Sequence, residues 1–190
     1  MNLPPKLKLN DEVILIAPAR KVDLESLIMA ENLLLKWGLK PLRSKNILAE
    51  AGIFAGDKEE RELDLQWAIN HPTAKAIWCF RGGYGSIQLL EGLNPAPFLQ
   101  NPKWIIGFSD ITNIHCFSNI ILNTASIHAT MPINIESNTP QSLESLKEFL
   151  FKQEINYKIN SASKNIYGEV KGAIVGGNLS ILCANLGTNY

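Results

Sequence analysis

Several things are scarce in this chain of 190 residues, and each scarcity closes off a class of function. It has three cysteines, Cys79, Cys116 and Cys183, odd in number and far apart, which excludes a disulfide framework and reads as buried free thiols in a reducing compartment. It has three histidines, His71, His115 and His128, and these share no ligand-like spacing with the cysteines, so no metal set emerges. Charge of either sign is not in excess: 18 Lys and Arg balance 18 Asp and Glu, which leaves no basic field of the kind that draws nucleic acid. No apolar run approaches the roughly 18 to 20 residues that cross a bilayer. Val13 to Ala19 after Lys6 and Lys8 imitates a secretory leader, but Asp11 and Glu12 interrupt the imitation and the stretch reads as a buried first strand. There is no internal repeat and no low-complexity tract.

What is present is ordinary globular composition, 46% hydrophobic and 19% charged, arranged as strands alternating with helices. Val13 to Ala17, Ala76 to Phe80 and Trp104 to Phe108 are short continuous apolar runs, the pattern of parallel strands covered on both faces. Asp23 is an N-cap for a helix whose Leu24, Leu27, Ile28, Leu34 and Leu35 pack on the first strand, with Gly38 as its stop. A second helix runs from about Lys58 to Asn70, with Leu63, Trp67 and Ala68 on one face. Ile87, Leu89, Leu90 and Leu93 follow as a helical stretch, then a loop from Asn94 to Pro102, and Ile111, Ile114 and His115 begin another helix. Beyond Gln141, Leu143, Leu146 and Leu150 give one more helix, Ile155 to Asn160 and Ile166 to Val175 read as strands, and Gly176-Gly177-Asn178-Leu179 opens a last helix-like run through Leu186. The alternation predicts an α/β fold with a parallel sheet, whose ligands bind where strand ends meet the following helices.

Two loops sit at such ends. Gly107-Phe108-Ser109-Asp110 places a serine between strand and helix, either as a cap or as a nucleophile raised on a sharp turn, although Ile111 stands where the usual elbow has a second glycine. Arg81-Gly82-Gly83-Tyr84-Gly85 offers backbone N–H groups that could line an oxyanion or phosphate site, or simply turn the chain; it lacks the Walker and dinucleotide spacings. A serine mechanism needs a base. His115 lies six residues into the helix after Ser109 and points elsewhere, His71 lies at the opposite end of the sheet, and His128 can reach the site edge.

Together these residues resemble the LD-carboxypeptidase family of serine peptidases. The resemblance rests on Ala51-Gly52 through Gly56-Asp57, Arg61, Lys75-Ala76-Ile77-Trp78 leading into Arg81 to Gly85, Pro102-Lys103, Gly107 to Thr112, Gly176 to Leu179 and Gly187-Thr188, in the family's order. It implies a flavodoxin-like parallel sheet of the class I glutamine amidotransferase kind. The implied enzyme is cytoplasmic and removes the terminal D-alanine of murein tetrapeptides, or in related members attacks a peptide-nucleotide antibiotic, without metal or cofactor. Ser109 matches the nucleophile. The backbone N–H groups of Asp110 and Gly83 would form the oxyanion hole, and Arg81, Gly82 and Tyr84 the substrate loop. The family's Glu and His belong to a C-terminal domain, so the expected organisation is an α/β domain over residues 1–160 and, over 161–190, a linker with the start of a truncated second domain. His128-Ala129-Thr130-Met131-Pro132 departs from the family's His-Gly-Pro. Expected partners are a murein peptide and either a homodimer mate or a separate C-terminal half, with no nucleic acid and no membrane. Two other readings stay open: an inactive remnant that binds peptide without cutting it, and a nucleotide-binding α/β domain. Ile174, Val175, Leu179, Ile181, Leu182 and Leu186 are expected to form an unpartnered apolar surface.

Overall fold

Short runs of β-branched and apolar residues form the sheet because alternate side chains enter two different cores. The computed structural model describes residues 1–155, 160, 162, 164–166 and 168–190. Its chain order is β1 (Glu12–Ile16), α1 (Leu24–Lys36), β2 (Lys40–Arg43), α2 (Lys58–Asn70), β3 (Ala76–Cys79), a 3₁₀ segment (Ser86–Gly92), α3 (Ala96–Gln100), β4 (Trp104–Gly107), a 3₁₀ turn (Ser109–Ile111), α4 (Thr112–Ile120), β5 (Ile127–His128), a second 3₁₀ turn (Pro132–Asn134), α5 (Pro140–Lys152) and α6 (Leu179–Ala184). All five strands are parallel in the order β2-β1-β3-β4-β5, the doubly wound flavodoxin-like arrangement. Its chain reversal falls between β1 and β3, so the loops leaving these two strands diverge and open a crevice at their C-terminal ends.

Val13, Leu15, Trp78, Trp104 and Ile106 bury one face of the sheet against Leu27 and Leu34 of α1 and Leu146 and Leu150 of α5. Ile14, Ile16, Ile77, Cys79 and Ile105 bury the other against Leu65 and Ile69 of α2 and Ile114 and Phe117 of α4. Helix starts follow local chemistry: Asp23 accepts from the Ser26 N–H, which holds its carboxyl below the usual range, and Asp57 and Glu60 form a reciprocal capping box on α2.

The expected helix faces need correction. In α1 the buried side is Leu27, Ala30 and Leu34, while Leu24, Ile28 and Leu35 are exposed. In α2, Leu63 and Trp67 face solvent and Arg61 and Asp64 are buried in their place. That inversion is physically sound because both polar groups are satisfied: Arg61 reaches four acceptors, and Asp64 accepts from the Asn46 backbone and side-chain N–H groups. The expected loop over Asn94 to Pro102 contains α3, opened at Pro95 and Ala96. The edge strands β2 and β5 were not anticipated.

Of the thiols, only Cys79 is buried, and burial in an apolar core pushes its pKa up; Cys116 is half-buried and Cys183, on the outer side of α6, is exposed. The expected strand at Ile155 to Asn160 lies mostly outside the described residues. The one expected at Ile166 to Val175 is not formed: its described residues pair with no strand, and Ile166, Val170 and Ile174 are almost fully exposed. Val175, Leu179 and Leu186 are exposed too, in line with the expected apolar surface. The segment nonetheless docks through α6, where the Asn178 N–H donates to Thr112 Oγ1 and Asn185 Nδ2 donates to Asn113 Oδ1 on α4.

Candidate active site

Ser109 stands immediately after β4, where Phe108 is extended and the backbone then folds into the 3₁₀ turn that feeds α4. Its φ is +59°. A side chain in the left-handed region costs of order 1–2 kcal/mol, so the chain holds a serine where relief would come from glycine. The turn lifts Ser109 out of the sheet into a cleft of about 200 Å³ lined by Arg20, Arg81, Gly82, Gly83, Phe108, Met131 and Ile133. Ser109 Oγ has no hydrogen-bond partner among the described residues.

The glycine loop after β3 closes on this turn. A Cβ on Gly82 would stand 3.1 Å from Asp110 Cβ and 3.2 Å from the Asp110 nitrogen, so only a bare backbone fits so close. Gly83 has φ +122°. The N–H groups of Gly82, Gly83 and Asp110 find no acceptor among the described residues. Side chains behind the loop hold it in place. Asp110 Oδ2 accepts from the Ser86 N–H at 3.1 Å, the Ser86 hydroxyl donates to the Asp110 carbonyl at 2.8 Å, and Asn113 Nδ2 donates to that carbonyl at 2.9 Å. Arg61, buried beneath the loop, donates through Nη1 to the Pro18 and Gly85 carbonyls, each at 3.1 Å, and through Nη2 to Gln88 at 2.8 Å. Burial lowers its pKa, against the opposing pull of the Asp110 charge.

Each predicted site residue can now be placed. Ser109, Gly82, Gly83 and Arg81 line one cleft, with Asp110 buried behind them; Arg81 Nη1 donates to the Lys21 carbonyl at 3.1 Å. Tyr84 is exposed at the loop tip, its ring 6.4 Å from Phe54, and is not among the cleft's lining residues. His71 caps the far end of α2 and accepts from the Ala74 N–H. His115 is buried and its Nε2 donates to the Gly107 carbonyl at 2.9 Å, because a carbonyl can only accept; its pKa is pushed down to about 4, chiefly by burial. His128 is exposed on β5, its ring 6.1 Å from Phe108. No group of three or more potential metal ligands occurs among the described residues, and no described helix is long and apolar enough to cross a membrane. Sequence reasoning missed Arg20 and the Met131 and Ile133 wall. Arg20 carries no motif; its place two residues past Pro18, at the end of β1 beside the chain reversal, was the available signal.

A doubly wound sheet with a strained serine and open backbone donors at its carboxyl edge defines an α/β protein whose candidate site lies where such folds bind their ligands. Residues 13–129 match the LD-carboxypeptidase N-terminal domain, and the chain belongs to that family. A probable murein peptide carboxypeptidase of Bacillus subtilis is 30% identical over 100% of this chain and 61% of its own length. The structure of a muramoyltetrapeptide carboxypeptidase from Oxalobacter formigenes is 27% identical with a TM-score of 0.81, covering 94% of this chain and 60% of that one. A microcin C7 self-immunity protein, at 19% identity, shares the fold alone, with a TM-score of 0.84 over 100% of this chain and 67% of its own. The chain thus spans about three fifths of the length of the curated relatives it matches.

Proposed function

We propose that residues 1–190 carry the nucleophile half of a serine carboxypeptidase that releases the terminal D-alanine of murein tetrapeptides. The observation that carries this reading is Ser109 held at φ +59° opposite the bare Gly82-Gly83 backbone. Ser109 Oγ attacks the penultimate carbonyl carbon, and the oxygen of the tetrahedral intermediate accepts from the N–H groups of Asp110 and Gly83. The C–N bond breaks, D-alanine leaves with a proton on its amine, and water hydrolyses the ester on Ser109. Arg81 and the Gly82 backbone border the bound peptide, with Tyr84 at the loop tip. Support for the substrate comes from the relatives named as murein peptide carboxypeptidases.

The proton relay needs a base oriented by an acid. His115 is buried and occupied by the Gly107 carbonyl, and His128, whose ring lies 6.1 Å from Phe108, is not among the residues that line the Ser109 cleft. In this reading the Glu and His come from the part of the relatives' length that residues 1–190 do not span, and residues 161–190 lead into that second unit. D-alanine release from a murein tetrapeptide tests the reading, measured for a protein of the relatives' full length and for residues 1–190, each beside Ser109→Ala. Release by the longer protein that vanishes with Ser109 supports it. Release that survives Ser109→Ala, or no release by either form, would refute it.

A further inference from the structure

Of the chain's four arginines, three are engaged: Arg43 with Glu31, Arg61 with backbone carbonyls and Gln88, Arg81 with the Lys21 carbonyl. Arg20 is exposed and its guanidinium meets no acceptor or acid among the described residues. It is nevertheless placed. Its backbone forms an antiparallel bridge with Phe54, and its side chain lies across the space that Gly83 leaves empty, with Cδ and Nε each 2.6 Å from where a Cβ would stand. It shares the Ser109 cleft with Arg81, and no acidic residue lines that cleft. A free cation beside a nucleophile, with no carboxylate among the residues that line the cleft, is a binding position for a carboxylate of the ligand.

We propose that Arg20, seconded by Arg81, forms a carboxylate subsite beside Ser109 that selects peptides ending in a free α-carboxylate. The inference rests on reading the cleft as a peptidase site. In a C-terminal residue only the nitrogen and Cα separate the scissile carbonyl from the terminal carboxylate, so a substrate whose carbonyl faces Ser109 carries its negative charge into the same small cleft. Arg20 offers a planar fork of donors to that charge, while Phe108, Met131 and Ile133 give an apolar wall for a small side chain. Arg20 touches substrate rather than the reacting atoms. Its contribution is specificity: it favours removal of a terminal residue over cleavage within a chain, where the carboxylate is replaced by a neutral amide.

The test compares a murein tetrapeptide with a free C-terminal carboxyl against the same peptide as its C-terminal amide, titrated into residues 1–190 and followed by amide NMR. The free acid is expected to bind about tenfold more tightly, the modest end for a charge-assisted pair at an exposed group. Arg20→Ala erases that preference with the spectrum otherwise folded, Arg20→Lys retains part of it, and raising salt weakens it. Equal affinity for acid and amide, a preference that survives Arg20→Ala, or no binding of either peptide would overturn the subsite. D-alanine release by the longer protein without acid preference defeats the subsite alone, whereas acid preference with no release by the longer protein defeats the catalytic reading alone.

Discussion

At the edge where the strands begin, Lys103 is fully buried; its Nζ donates to the Ile69 carbonyl at 2.8 Å and lies 5.3 Å from the centre of the Phe98 ring. Nearby, Asn101 Nδ2 donates to the His71 carbonyl at 3.2 Å. At the edge where the strands end, Arg61, Asp110, Ser86 and Asn113 are also buried, and they too bond to carbonyls and amides. The difference lies in what each arrangement leaves over. At the first edge the side chains complete the C-terminal end of α2, which would otherwise have orphan carbonyls. At the second edge the buried groups hold a loop whose own N–H groups stay open, beside a serine in a strained conformation. Buried charge alone therefore does not mark a site; buried charge that supports unspent donors and backbone strain does.

The largest expected effect breaks this contrast at Ser109. Both Ser109→Ala and Ser109→Gly should reduce D-alanine release by the longer protein at least about 10³-fold. The two variants should differ in stability, because glycine accepts φ +59° and alanine does not: Ser109→Gly should be the more stable by about 1 kcal/mol, or roughly 2–4 °C in Tm. Equal melting temperatures would remove strain from the description of the elbow.

Lys103 provides the second test, at the opposite edge. Burial pushes its pKa down to about 8 from an ordinary 10.5, so between those values the unfolded chain binds the proton that the folded chain has released. Stability should therefore rise as pH increases from about 8 to 10.5, by up to about 3 kcal/mol, and Lys103→Met should flatten that rise without altering release of D-alanine at pH 7. A variant with the same alkaline slope as the parent would place the titration elsewhere. At the carboxyl edge Asp110→Ala should cost about 1–3 kcal/mol, since the Ser86 N–H loses its acceptor, and unlike Lys103→Met it should also lower turnover. Loss of stability with turnover intact would detach the Asp110 carboxylate from the geometry of the site.

The central strands were legible because β1, β3 and β4 are buried on both faces and read as unbroken apolar runs, and the start of α1 was legible from Asp23. The edges were not. Lys40-Pro41-Leu42-Arg43 forms β2 although it holds a proline and two cations, which an edge strand tolerates because one side of its ladder is free; β5 is only two residues long. Helix faces failed where a polar side chain was satisfied from a distant loop: nothing local to Arg61 reveals that the Pro18 and Gly85 carbonyls await it. Ser109 and the glycine loop were legible as types at strand ends. Their approach, and the arrival of Arg20 from the end of β1, depend on the order of strands, which local pattern does not encode.

His115 sharpens the comparison last and most finely, because it is a buried titratable group at the carboxyl edge that resembles Lys103 more than Ser109. Its Nε2–H holds the Gly107 carbonyl and so ties α4 to the end of β4, while the same carbonyl accepts from the Ala129 N–H at 3.1 Å just past β5. Its Nδ1 is buried with no partner among the described residues, and an imidazolium there would place a proton where nothing accepts it. The folded-state pKa of about 4 lies below the unfolded value near 6.5, so stability is complete above pH 6.5 and declines as pH falls toward 4, by about 1 kcal/mol at pH 5.5. His115→Gln, which keeps a donor for the Gly107 carbonyl, should make that acid slope shallower, and the ring resonances of His115 should stay unshifted from pH 8 down to about 5. Titration of the ring near pH 6.5 would show that water reaches it and would end its likeness to Lys103.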